Sequence, residues 1–144
     1  MSRVNIYATQ PEAYNAMFTL EKYIKNSKLP PILEELIRVR TSQINGCAYC
    51  IQMHTKSALQ QGETHERLFL LSAWKQSSLF TPEEQAVLAL TEEVTQISND
   101  GVSDTTYKQL EEHFDRKQIA QLIMLISTMN IWNRIAVATN VHES

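Results

Sequence analysis

Glu35-Leu36-Ile37-Arg38-Val39-Arg40-Thr41-Ser42-Gln43-Ile44-Asn45-Gly46-Cys47-Ala48-Tyr49-Cys50-Ile51-Gln52-Met53-His54 is the stretch on which the fold reading turns. With the residues just before it, Ile32, Leu33, Leu36, Ile37, Val39 and Ile44 make one apolar arc at helical spacing. Leu29-Pro30-Pro31 breaks the chain ahead of that arc and Gly46 stops it, which predicts a helix over 31–45. A further helix begins at or near Cys47 and runs to Gln61, with Gly62 as its stop. Two helices joined at a single glycine therefore carry both cysteines of the chain.

Outward from this pair the same pattern repeats. Pro11 to Asn26 places Ala13, Met17, Leu20 and Ile24 on one helical face. A fourth helix starts after Thr64 and carries Leu68, Leu71 and Trp74. Thr81-Pro82-Glu83-Glu84 combines a threonine cap, a proline at the first position and a glutamate three after the cap; its helix runs to about Ile97. Ser103 opens a short helix to about Phe114. Asp115 with Gln118 resembles a capping box for the last helix, which ends near Asn140. No run alternates with period two, and three glycines and four prolines in 144 residues are too few for a turn-rich sandwich or barrel. The expectation is an all-α domain of about seven helices.

Composition narrows the function classes. A net charge of -3, from 13 basic and 16 acidic side chains, argues against sequence-independent nucleic-acid binding. The most apolar stretch, Ile119 to Val141, contains Gln121, Asn130, Asn133, Arg134 and Asn140. An arginine at a bilayer centre costs about 2.5–3.5 kcal/mol, so that stretch reads as a buried or interface helix and no membrane association is expected. The N-terminus lacks the apolar run and cleavage site of a signal peptide, and a cytoplasmic location is expected. The apolar excess of the last helix predicts a homo-oligomer.

On a helical wheel Cys47, Cys50, Ile51, His54 and Ala58 share a face, whereas Tyr49, Gln52, Lys56 and Gln60 turn away from it. His54 follows Cys50 by four residues, which makes their side chains neighbours at about 5–6 Å between Cβ atoms. The thiols sit at a helix N-terminus, where unpaired N–H groups and the helix dipole favour an anion and lower a thiol pKa from about 8.5. Cys50, nearer to His54, is the better candidate for base-assisted attack. Two cysteines at i, i+3 inside a regular helix cannot bond, so closure of the pair requires a cap-like, non-helical Cys47. Three readings stay open on the local pattern: redox chemistry, a zinc site using Cys47, Cys50 and His54 without an obvious fourth ligand, and inert packing. Glu35 lies at the edge of its apolar arc, where a carboxylate is either solvated or placed to accept a proton or orient a histidine. Arg40 lies in the middle of that arc and requires a carboxylate, a carbonyl or a subunit neighbour. His65, His113 and His142 have no partner at ligand spacing, and Trp74 and Trp132 read as packing anchors.

Glu35, eleven residues, Cys47-Ala48-Tyr49-Cys50, three residues, His54: this spacing resembles the AhpD-like alkylhydroperoxidases of the carboxymuconolactone decarboxylase superfamily. The text from Glu35 to Arg40 and from Ser42 to Cys47 is similar to that family, as is Asn130-Ile131-Trp132-Asn133-Arg134 in the last helix. The core resemblance spans about residues 14–95 of a single domain over 1–144, with the helix over 115–140 left for packing or oligomerisation. The resemblance implies a compact helical fold, trimeric or hexameric, that reduces organic hydroperoxides or hydrogen peroxide in antioxidant defence. It implies Cys50 as the nucleophile that becomes a sulfenic acid, Cys47 as proton donor and resolving thiol, His54 as general base and Glu35 as the other member of the proton relay. No metal or flavin is implied; an external dithiol, in the family sometimes a lipoyl group, resets the pair. The family pattern has a second histidine just before the second cysteine, and this chain has Tyr49 there. Decarboxylases of the superfamily commonly lack the cysteine pair. The alternatives carried forward are a protein disulfide-exchange or redox-regulatory module, and a zinc-binding module without turnover.

Overall fold

The computed structural model describes residues 2–143. Among them are eight α-helices, one 3-10 helix and no strand: α1 (Ile6–Thr9), α2 (Pro11–Lys25), α3 (Pro31–Asn45), α4 (Ala48–Gln60), α5 (His65–Leu70), the 3-10 segment Leu71–Gln76, α6 (Pro82–Thr95), α7 (Asp104–Glu111) and α8 (Arg116–Ala138). The all-α expectation holds, with two corrections to the count of seven. Asn5 caps an extra turn at the N-terminus by accepting from the Ala8 N–H. The fourth predicted helix breaks at Leu71 into 3-10 geometry, with Ala73 outside helical angles. Tertiary contact overrides the local pattern there: Leu71 and Trp74 are buried, and the Trp74 indole N–H reaches Glu92 Oε1 at 2.9 Å.

α3 is the centre of the domain, packed by α4, α6 and α8. Its two apolar flanks enter different cores. Leu33 and Ile37 join Ile24, Val87, Leu90, Leu110, Leu122 and Ile126, whereas Leu36 and Val39 join Ala58, Leu68, Leu71, Trp74, Phe80 and Leu88. A third, smaller cluster holds Cys47 and Cys50 against Met129, Ala136 and Trp132 of α8. Arg40 finds a carboxylate: its Nε and Nη2 donate to Glu92 Oε1 at 3.2 and 3.0 Å. The capping boxes at Thr81/Glu84 and Asp115/Gln118 both form.

The α3–α4 corner sets the position of the cysteines. Gly46 adopts the left-handed conformation (φ 68°, ψ 34°), which a side chain disfavours. Its N–H donates to the Gln43 carbonyl and the Cys47 N–H to the Ser42 carbonyl, the paired bonds of a Schellman stop. Asn45 Nδ2 donates to Asn130 Oδ1 and Asn133 Oδ1 at 2.9 and 3.0 Å, and Asn133 Nδ2 donates to Ser42 Oγ at 3.0 Å. Buried amides on α8 thereby hold the corner in one orientation, with each polar group satisfied. No helix is long and apolar enough to cross a membrane, among the described residues.

Candidate active site

Cys47 is the N-cap of α4, extended at φ -91° and ψ 93°, and its Sγ accepts from the Cys50 N–H at 3.2 Å. This is the cap-like conformation that closure of the pair demands. The two sulfurs are bonded to each other, with Cα atoms 5.2 Å apart. Both residues are 2% exposed, so a partner reaches the sulfurs only through an opening in the fold.

That opening is a cavity of about 570 Å³. Cys50 and His54 lie in its wall, and Cys47 does not. Most of the remaining lining is apolar or aromatic: Tyr14 and Phe18 from α2, Met53 from α4, and Met129, Trp132 and Ile135 from α8. Tyr14 stands edge-on to both Phe18 and Trp132, with ring centroids 5.9 and 5.5 Å apart. Tyr49 also lines this cavity, which differs from the wheel expectation that it turns away from His54's surroundings. The cavity reaches beyond the inward stripe of α4, so a residue at the helix's exposed flank still borders it.

Glu35 is 8% exposed, which settles the choice at the edge of its arc in favour of the buried, hydrogen-bonded carboxylate. Its Oε2 faces His54 Nδ1 at 3.1 Å and its Oε1 accepts from Arg38 Nη1 at 3.1 Å. Burial alone raises its pKa. The hydrogen bond and charge of His54, the charge of Arg38 and a hydrogen bond from Ser57 outweigh burial and hold it below the ordinary glutamate value. An ionised carboxylate only accepts, so Nδ1 donates to it whether the ring is charged or neutral, and in the neutral ring Nε2 is the unprotonated nitrogen.

Four of the predicted residues therefore converge: Glu35 from α3, Cys47 at the cap of α4, and Cys50 and His54 within α4. His65 and His142 are exposed and His113 half-buried, away from this cavity. No group of three or more His, Cys, Asp or Glu side chains is placed to hold a metal ion, among the described residues. Sequence reading did not single out Arg38, Glu21 or the cavity side of Trp132. Arg38 pairs with Glu34 at 3.4 Å and Glu21 at 3.8 Å besides Glu35, and Trp132 Nε1 donates to Glu21 Oε1 at 2.8 Å. The i, i+3 spacing of Glu35 and Arg38 was the one available signal; the contacts to α2 and α8 are tertiary.

Comparison with known proteins places the family and the fold. The model of the carboxymuconolactone decarboxylase family matches residues 11–93. The uncharacterized protein YdfG of Bacillus subtilis (strain 168) is 43% identical over 136 residues, which cover 94% of this chain and 92% of YdfG. A crystal structure from Agrobacterium tumefaciens superposes with a TM-score of 0.96 at 35% identity over 100% of this chain and 99% of that one. That protein is of unknown function, with an AhpD-type antioxidant-defence role suggested for it. The debrominase Bmp8 superposes with a TM-score of 0.84 at 17% identity, over 95% of this chain and 74% of Bmp8, a likeness of fold.

Proposed function

This chain belongs to the carboxymuconolactone decarboxylase family, as an AhpD-like member, and we propose that it is a thiol-dependent peroxidase acting on organic hydroperoxides. The observation that carries the proposal is the shared cavity: Cys50 and His54 border one apolar pocket, with His54 oriented through Nδ1 by Glu35. In the reduced enzyme Cys50 gives its proton to His54 Nε2. The thiolate attacks one peroxide oxygen, the O–O bond breaks, and Cys50 becomes a sulfenic acid. Cys47 donates its proton to the departing alkoxide, which leaves as the alcohol. The Cys47 thiolate then attacks the Cys50 sulfur and forms the disulfide. The hydroxide released takes the proton held by His54 and leaves as water. An external dithiol restores both thiols by exchange and is itself oxidised. Per turnover, one hydroperoxide and one dithiol yield alcohol, water and one disulfide.

The burial of both sulfurs supports a narrow reductant such as a lipoyl arm over a bulky protein thiol, and so favours peroxidase chemistry over general protein disulfide exchange. The apolar lining supports an organic peroxide over hydrogen peroxide. Cycling of free thiols suits a reducing compartment, and the cytoplasm is the proposed location. A homo-oligomer, trimer or hexamer, is also proposed. Ile131 and Val137 are exposed apolar side chains on α8 that it would cover. Sedimentation as a monomer at micromolar concentration would refute that assembly. The catalytic proposal is tested by mixing reduced protein with cumene hydroperoxide and following thiol loss and alcohol formation. Cys50→Ser is expected to abolish both, whereas Cys47→Ser allows one oxidation without turnover. Peroxide consumption by Cys50→Ser at the wild-type rate would overturn the mechanism.

A further inference from the structure

Arg38 is the permanently charged cation paired with Glu35; its other ion-pair partner, His54, is a cation only when protonated. α2 contributes Glu21, and its Lys22 and Lys25 line a neighbouring groove that Glu21, Glu34, Glu35 and Arg38 also border, whereas the ion pairs made by Glu35 itself are with Arg38 and His54. α3 contributes Glu34 and Arg38 itself, and α4 contributes His54, Cys50 and Tyr49. α8 offers no charged side chain to the cavity, only the Trp132 indole whose N–H is already donated to Glu21. Three carboxylates thus share one guanidinium, whose side chain is 12% exposed against 10% for Glu35, 14% for Glu34 and 33% for Glu21.

We propose that Arg38 is the positioning residue of the Glu35–His54 pair: it pins Glu35 Oε1 and offsets the two neighbouring carboxylates, so that Oε2 stays an ionised acceptor for His54 Nδ1. The assignment rests on the reading of Cys50, His54 and Glu35 given above. The physical consequence of losing Arg38 follows from crowding. Without the cation Glu35 loses one of the charges that hold its carboxyl low, leaving the His54 contact and the Ser57 hydrogen bond against its burial, and the proton is shared between Glu35 and Glu34, which burial already holds above the ordinary value. A protonated carboxyl donates to Nδ1 instead of accepting from it. The ring proton then sits on Nε2, the nitrogen that must be empty to receive the Cys50 proton. The base is lost without any change in its distance. A lysine keeps the charge but not the fork, and so retains most of the effect.

The test uses the reduced full chain carrying Cys47→Ser, in which Cys50 is the sole thiol, and measures the rate of iodoacetamide alkylation from pH 5 to 10. This readout requires no peroxide. Arg38→Gln is expected to move the midpoint upward by about one pH unit, or about tenfold slower alkylation at pH 7. Arg38→Lys is expected to stay within about threefold of the parent. A structural role alone would lower the rate equally at all pH values, or leave the profile unmoved while lowering stability. Either result with a folded Arg38→Gln protein overturns the proposal, as does failure of lysine to rescue. Should Arg38→Gln not fold, the double variant Arg38→Gln/Glu34→Gln, which removes one carboxylate and keeps Glu21 beside Glu35, is compared with Glu34→Gln alone. An upward shift between those two supports the proposal and coincident profiles overturn it. A normal Arg38 response in a protein inert to every hydroperoxide would discard the peroxidase reading and leave Arg38's role standing.

Discussion

Replacing Glu35 by glutamine removes a charge while keeping size and shape. The wild-type carboxylate makes hydrogen bonds of 3.1 Å to His54 and 3.1 Å to Arg38 and a further one to Ser57. A hydrogen bond to a charged group contributes about 1.5–3 kcal/mol and a neutral one about 0.5–1.5 kcal/mol. At the His54 contact the substitution therefore costs about 1–1.5 kcal/mol of support for the imidazolium that forms when Cys50 ionises. That converts to about a tenfold loss in the thiolate population, and so in the rate of sulfenic-acid formation at neutral pH. Folding stability is expected to change little, because Arg38 keeps Glu21 and Glu34 as partners and the amide oxygen still accepts from His54. The assay is stopped-flow thiol loss with excess cumene hydroperoxide at pH 7, alongside urea unfolding of both proteins. A Glu35→Gln enzyme oxidised as fast as wild type would refute the relay, and a slow one that is also largely unfolded would not support it.

Gly46→Ala meets no atom within 4 Å of the new Cβ but must hold φ at 68°; a loss of about 1 kcal/mol in urea unfolding is expected, from backbone conformation alone. Phe18→Ala opens the cavity mouth at an exposed position and is expected to raise KM for cumene hydroperoxide several-fold while leaving the hydrogen peroxide rate unchanged, by steady-state kinetics. Acid stability has a definite sign. Burial raises the Glu84 pKa, but the Arg67 hydrogen bond, the Thr81 backbone N–H and the Arg67 charge outweigh it and hold it below the usual 4.5. Its contribution is full above pH 4.5 and is lost as pH falls through the depressed value, so Glu84→Gln should flatten the decline in urea midpoint between pH 5 and 3. Arg40→Met strips Glu92 of its closest ion pair, leaving it the Trp74 indole and the more exposed Lys75. A loss of about 2 kcal/mol in the same unfolding assay is expected.

What the sequence makes legible is local. The spans of α3 and α4 follow from Pro31, Gly46 and Gly62, because each of those residues acts on its own backbone. The caps at Thr81 and Asp115 are equally local, as donor and acceptor lie within four residues. The 3-10 segment is not legible, since Trp74 is held by Glu92, 18 residues on. The same division runs through the site. Cys50 and His54 sit on one helix and their adjacency is a matter of spacing. Glu35 comes from the neighbouring helix, and the wheel could place it only at a boundary. Its burial depends on how α3 lies against α4 and α2, which no periodicity encodes. Arg38 hides for a related reason: charged residues at i, i+3 decorate many solvated helices. Only the arrival of Glu21 from α2 distinguishes this pair.

The two cysteines divide position at the helix end from access to the cavity, and this division supports the order proposed for them. Cys47 occupies the cap of α4 and its sulfur accepts the Cys50 N–H, the position where a helix N-terminus most favours an anion. By its place at the helix end alone Cys47 would be the attacking thiol. It does not line the cavity, however, and no basic side chain is bonded to it, among the described residues. Cys50, one turn inside the helix, borders the cavity together with the histidine that Glu35 orients. A peroxide entering by that route meets Cys50 first, and a sulfenic acid formed there has Cys47 as its bonded neighbour in the oxidised protein. The stabilised anion at the cap then suits the second step, attack on the Cys50 sulfur after proton donation. Exchange of these roles, seen as sulfenic acid trapped by dimedone on Cys47 and absent from Cys50, would break the link between cavity and nucleophile on which the proposed reaction depends.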